Sequence, residues 1–277
     1  MFASFLITVR EGLEAALVIG IVLAYLARSG SRQGFKLVWA GTALGALVSL
    51  AAGVVVYFVA GELKSPQEQI FEGSAMLLAV SMLTWMIFWM RRQSVNIKSE
   101  LHSQVKSAIT GGSSLALVTI AFLAVVREGI ETVLFLFAAV TTSGSRLAFT
   151  TGGILGLLAA VLLGYAIYKG THRFNLRRFF SITSVALIFF AAGLLASGIH
   201  EFIEIGAMPS LIEHVWDVNG FISGESTFGR FLTSLVGYNA VPSLTEIGAY
   251  MIYLAVALGS YFFPNARRQA KLEPQNG

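Results

Sequence analysis

Cysteine is absent from this chain, so disulfides, thiolate metal sites and thiol nucleophiles are excluded. Charge is scarce: only 12% of the 277 residues are charged, while 56% are hydrophobic. A soluble domain carries about a quarter charged residues. With a mean hydropathy of +0.74, the excess apolar surface is expected to face lipid. The apolar runs are continuous rather than alternating, which fits helical spans better than a barrel. No basic leader precedes the first run, so it is expected to be a retained span and not a cleaved signal. No nucleotide-binding motif is present, so the chain is not expected to hydrolyse ATP itself. Histidine is limited to His102, His172, His200 and His214, at span ends or in loops.

Seven apolar segments of roughly 20 residues can be placed, at about 2–27, 36–60, 70–90, 114–142, 150–169, 180–205 and 245–263. Lysine and arginine gather after every odd-numbered span: Arg28, Arg32 and Lys36; Arg91, Arg92, Lys98 and Lys106; Lys169, Arg173, Arg177 and Arg178; and Arg267, Arg268 and Lys271 in the tail. The other loops hold only Lys64, Arg146 and Arg230. The basic side is expected to be cytoplasmic, with the N-terminus outside and the C-terminus inside. The sequence pI near 9.4 therefore reflects a margin facing anionic lipid, not nucleic-acid binding. The polar stretch 94–112 is expected to lie on that surface as an amphipathic helix, with Leu101, Val105 and Ile109 inward. Trp85 and Trp89 sit where an interfacial aromatic belt belongs, and the long segment 206–243 is expected to pack on the outer face.

Acids show the opposite bias. Glu62, Glu68, Glu72, Glu201, Glu204, Glu213, Asp217, Glu225 and Glu246 fall on or near the outer side, whereas only Glu100 and Glu273 fall inside. Ordinary loop solvation accounts for this, and so does a mouth that concentrates cations.

The chain repeats itself. Phe5, Leu6, Val9, Arg10-Glu11-Gly12 and Glu14 recur 117 positions later as Phe122, Leu123, Val126, Arg127-Glu128-Gly129 and Glu131. Gly41, Leu44, Gly45, Gly53 and Tyr57 recur 111 positions later as Gly152, Leu155, Gly156, Gly164 and Tyr168. Spans three and six show no convincing match. Three spans per copy is an odd number, so the second copy enters from the opposite face. The expected architecture is one all-α membrane domain: an inverted 3+3 repeat (about 1–92 and 114–205) with a seventh helix at about 245–263, the arrangement of secondary transporters. The glycines spaced four apart are read as generic packing positions.

Each copy carries an arginine and two glutamates inside its apolar run. Glu11 lies about nine residues into its span, about 14 Å deep and near the bilayer centre. Each charge at that depth costs at least roughly 2.5–3.5 kcal/mol. The two motifs are tolerable only if they face each other. Together Glu11, Glu14, Glu128 and Glu131 against Arg10 and Arg127 leave two surplus negative charges, which a multivalent hard cation would balance. The arginines cannot bind a metal and are expected to hold the carboxylates in place and ionised. A structural clamp is the plainer alternative, but a clamp would be expected to come out neutral. Weaker candidates form an outer uptake site: Glu72, one turn into span three; Glu201 and Glu204 with His200 at the end of span six; and Glu68 and Glu246, each discounted because Ser65 and Ser243 precede them as capping boxes.

The two REGxE helices, with "MFASFLITVREGLEAAL", "IFEG", "LTWMIFWMRR" and "VPSLTEIGAYMIYL", resemble the oxidase-dependent iron permease family, which includes the fungal high-affinity permeases. The resemblance runs over essentially the whole chain. It implies high-affinity iron uptake across the bacterial inner membrane, with iron ions as cargo and no cofactor. It carries the iron-site role to Glu11, Glu14, Glu128 and Glu131. It also implies a periplasmic iron-binding protein and a haem peroxidase as partners, and leaves room for a homo-oligomer. Oxygen ligands do not separate ferric from ferrous iron, or iron from manganese or lead. A proton-coupled carrier or intramembrane enzyme using the same glutamates is the rival of another class, but no nucleophile lies at that depth.

Overall fold

The computed structural model describes residues 1–30, 32–93, 114–143, 146–168, 175–224 and 226–263. The expected surface helix at 94–112 and the basic tail lie outside the described residues. Those residues contain eight helices and no strand: α1 (Phe2–Ser29), α2 (Arg32–Glu62), α3 (Gln67–Gln93), α4 (Ser114–Ser143), α5 (Arg146–Tyr168), α6 (Leu176–Glu204), α7 (Thr227–Val236) and α8 (Leu244–Phe262). Five stretches are long and apolar enough to cross a membrane: Gly34–Glu62, Gln67–Arg91, Leu147–Ile167, Arg178–Glu204 and Leu244–Phe262. The other two long helices, α1 and α4, are the ones interrupted by an arginine and two glutamates.

Helix α1 packs along α5, α2 along α4, α3 along α6 and α6 along α8, while α1 and α4 also meet each other. One buried cluster joins Ile7 of α1, Met76 and Leu83 of α3, Phe135 of α4, Leu187 and Ile188 of α6, and Tyr261 of α8. The outward faces of α2 and α5 stay apolar, with Leu47, Leu50 and Phe58 on one and Leu158 and Leu162 on the other exposed. In lipid such faces gain nothing by meeting each other, so helix association depends on close van der Waals packing.

Glycine supplies that closeness at matched places. A methyl group on Gly41 would strike the carbonyl oxygen of Val118, and one on Gly152 would strike that of Met1. Gly45 lies against Phe122 and Val125, as Gly156 lies against Phe5 and Thr8. Both helix pairs run parallel, and residues 117 apart meet glycines 111 apart. The α2–α4 and α1–α5 interfaces are thus built on the same register. Gly41→Ala is expected to lower the melting temperature of the purified protein by overpacking, at a cost of about 1–3 kcal/mol. Gly20→Ala, where nothing lies within 4 Å of the added carbon, is expected to leave it unchanged.

The segment 206–243, expected to pack on the outer face, contains a short helix and is packed against the bundle. It is pinned to itself by backbone bonds Val215 to Pro242, Val218 to Ala240 and Leu244 to Ile212, at 3.0–3.1 Å. Within it, α7 starts at Ser226, whose hydroxyl accepts from the Gly229 N–H at 2.9 Å. Phe228, Phe231, Leu232 and Leu235 recur with helical spacing, and α7 packs on α6, α4 and α1. It ends at Gly237, φ 69°, whose backbone presses on Gly193 in the body of α6 so closely that neither position has room for a methyl group.

Candidate functional site

Helical spacing sets the first contacts. Residues four apart are neighbours on a helix surface, and Arg127 Nε donates to Glu131 Oε1 at 3.1 Å. Arg10 Nε lies 3.3 Å from Glu14 Oε1 in the same relation. Each arginine also approaches the glutamate next to it: Arg10 Nη1 to Glu11 Oε1 at 3.8 Å and Arg127 Nε to Glu128 Oε1 at 3.7 Å. Arg10 and all four glutamates are buried. The side chain of Arg127 is 41% exposed.

Packing of α1 on α4 then brings the motifs together. One carboxylate oxygen each from Glu11, Glu128 and Glu131 lies within 4.8 Å of the other two, the only group of three or more potential metal ligands among the described residues. Glu14 is not part of that trio and stays with Arg10. Both oxygens of Glu11 and Oε2 of Glu128 are buried without a hydrogen-bond partner. A buried polar atom left unpaired costs about 1–3 kcal/mol, more when charged. An oxygen-seeking cation would satisfy all three ligands at once, and an all-carboxylate donor set suits a hard or borderline ion.

Two members of the trio face a cavity. A cavity of about 1230 Å³ has Glu11 and Glu128 in its wall and extends to Glu62, Glu68 and Glu72, where α2 ends and α3 begins. Between them it is lined by Thr8, Ser49 and Thr132. Their hydroxyl protons go to the carbonyls of Ser4, Gly45 and Glu128 at 2.7–2.9 Å, so their oxygens retain acceptor capacity. Sequence reasoning missed these hydroxyls. Their only signal was polarity inside apolar runs. It also missed that Trp85 and Trp89, expected in an interfacial belt, stack on each other beneath Arg127.

The outer candidates separate into two groups. Glu68 and Glu72 line the cavity. The N–H of Glu68 donates to the Lys64 carbonyl at 3.2 Å, so the expected capping by Ser65 is replaced by a backbone bond. His200 instead bridges α6 to α8, with Nδ1 3.0 Å from Glu246 Oε1 and Nε2 3.3 Å from Glu204 Oε1. Glu246 also accepts from Ser243 Oγ and Asn239 Nδ2, each at 2.9 Å, and its own N–H reaches Ser243 Oγ. Ser243 therefore caps α8 as expected, while the Glu246 carboxylate bonds the Ser243 hydroxyl and is engaged by His200 and Asn239 as well. Glu201 packs at Gly73 of α3. Glu246→Ala is expected to cost about 2 kcal/mol of thermal stability by stranding those donors, with transport retained in whatever protein folds. A loss of transport at unchanged stability would make Glu246 a ligand instead.

Long apolar helices enclosing a buried acidic cluster at one end of a cavity define a multi-pass membrane protein. The chain belongs to the iron permease FTR1 family, whose model matches residues 1–269. It is 39% identical over 266 residues to the ferrous iron permease EfeU of Yersinia pestis, covering 95% of this chain and 94% of that protein. It is equally similar to the EfeU of Escherichia coli O157:H7, covering 95% and 96%. No solved structure matches. The chain is accordingly a transporter of that family and not an enzyme.

Proposed function

We propose that this protein carries iron across the bacterial inner membrane into the cytoplasm, binding it between the two REGxE helices. The observation that carries this reading is the convergence of Glu11, Glu128 and Glu131, with three of their buried oxygens lacking a hydrogen bond, beside a cavity that Glu11 and Glu128 line together with Glu62, Glu68 and Glu72. Seven spans are assigned, α1 to α6 and α8, with the N-terminus outside. The rim then faces outward, where acids draw in cations. The matched registers of α1–α5 and α2–α4 support an inverted repeat, because exchanging the copies exchanges the two interfaces.

Charge favours the ferrous ion. Four carboxylates and two guanidiniums leave a formal excess of two negative charges, which Fe²⁺ cancels and Fe³⁺ overshoots. The relatives are named ferrous iron permeases. The periplasmic iron-binding protein and haem peroxidase belong to this proposal as suppliers of iron at the outer mouth. A homo-oligomer belongs to it as well, and sizing of the purified protein in detergent tests it.

Iron-loaded crystals with anomalous data test the site. Density between Glu11, Glu128 and Glu131 is expected, and a metal-free pocket at saturating iron would refute it. Proteoliposome uptake with manganese and lead as competitors tests selectivity: iron is expected to win. Proton flux without any metal requirement would instead favour the proton-coupled carrier.

A further inference from the structure

Arg127 and Arg10 occupy corresponding places in the two motifs but in different settings. Arg10 is completely enclosed, and no aromatic ring lies over it among the described residues. Arg127 leans out of the carboxylate cluster onto α3, with its guanidinium carbon 5.2 Å from the ring centre of Trp89 and 6.0 Å from that of Trp85. The two indoles stack with centroids 5.8 Å apart and planes 22° from parallel. Their spacing of four residues puts both on one face of α3, so together they offer the guanidinium a paired π surface.

We infer that Trp85 and Trp89 are positioning residues that receive the Arg127 guanidinium when a cation takes its place on Glu128 and Glu131. This rests on the carboxylate cluster being the iron site. An incoming cation competes with Arg127 for the same oxygens, since Glu131 Oε1 is held by Arg127 Nε. Arg127 and Trp85 are 41% and 57% exposed, and on a helix face turned to lipid a displaced guanidinium meets hydrocarbon in place of water. The face of an aromatic ring is the neutral surface that stabilises it best, and the effect strengthens when the pair is desolvated. Arg127 already touches both partners, so it gives up the carboxylates by settling further onto the indoles. The stacked pair lowers the cost of vacating the site. Arg10 has no such platform and stays with Glu14, so of the two arginines only Arg127 yields its carboxylates.

The chain has four tryptophans, Trp39, Trp85, Trp89 and Trp216. Replacing Trp39 and Trp216 with phenylalanine leaves fluorescence that reports on this pair. Purified protein is titrated with ferrous iron under anaerobic conditions, and occupancy is followed in parallel by equilibrium dialysis. Emission is expected to change saturably with occupancy, and Arg127→Gln is expected to remove the change while iron still binds. In the unaltered background, Trp85→Leu with Trp89→Leu is expected to weaken iron binding about 5- to 30-fold, the factor matching the loss of about 1–2 kcal/mol of cation–π stabilisation. The double phenylalanine variant is expected to stay within about threefold of the parent, because it keeps the π faces. Three results would each overturn the inference: an emission change that survives Arg127→Gln, a silent emission while iron binds, or equal affinities for the leucine and phenylalanine pairs. Absence of iron binding in the parent protein would overturn the site itself, and this inference with it.

Discussion

Glu131→Gln is expected to reduce iron uptake by at least about 100-fold at sub-saturating iron, with the protein still inserted in the membrane at normal levels. The amide is nearly isosteric, so packing of α4 is preserved. What changes is charge at a place where charge is effective. Two unit charges 4 Å apart interact by about 4 kcal/mol at an effective dielectric of 20, and a divalent ion doubles the attraction. Offset by the easier desolvation of the amide, a net loss of about 3 kcal/mol is a conservative figure, and 1.4 kcal/mol is tenfold in affinity. The same substitution at Glu14 is expected to do less, on the order of tenfold. Glu14 stands on Arg10 outside the trio and acts on the ion through space. Uptake of radiolabelled iron into cells expressing each variant, normalised to protein in the membrane, measures both. Full uptake by Glu131→Gln would eliminate the carboxylate cluster as the iron site, and equal losses at both positions would mean that all four glutamates hold the ion together.

That ordering was not legible in the sequence. The spacing of Arg10, Glu11 and Glu14 predicts which residues share a helix face, and the i, i+4 pairs form as expected. It does not say how far each helix is rotated about its own axis. Glu11 and Glu14 point about 60° apart around a helix of 3.6 residues per turn, and only tertiary packing decides which meets the opposite motif. That rotation is set by Gly12 against Ala160 of α5 and by Gly129 against Ser49 of α2, contacts between residues far apart in the chain. Helix positions were readable because they depend on local hydrophobicity, and residues 117 apart proved to meet glycines 111 apart. The bounds of α2, α3 and α8 fall within a few residues of the apolar segments. Helix α7 escaped because ten residues are too short to register as a span. The cradle of Trp85 and Trp89 for Arg127 escaped because an interfacial belt explained those residues equally well.

Arg10→Met is expected to be the most damaging single change to the folded protein. Arg10 is wholly buried and lies within 4 Å of two buried carboxylates. Methionine fills much of its volume but leaves four acids facing one remaining guanidinium. Removing one partner from a buried charge pair typically costs 3–5 kcal/mol, because the other charge is left uncompensated. That is of the order of a large part of a protein's net stability. The variant is expected either to fail to accumulate or to melt far below the parent. Arg127→Met is expected to be milder, since its partly exposed position and the flanking indoles already place that charge in a less enclosed setting. The decisive comparison is the double variant Arg10→Met with Glu14→Gln. If the damage arises from charge imbalance, removing one acid restores the formal excess of two and recovers much of the lost stability, giving a coupling energy of opposite sign to the single effects. If it arises from lost packing around the guanidinium stem, the two substitutions add. Thermal unfolding of the purified single and double variants distinguishes these outcomes, and a single Arg10→Met variant as stable as the parent would mean that the buried acids are already neutral in the empty protein.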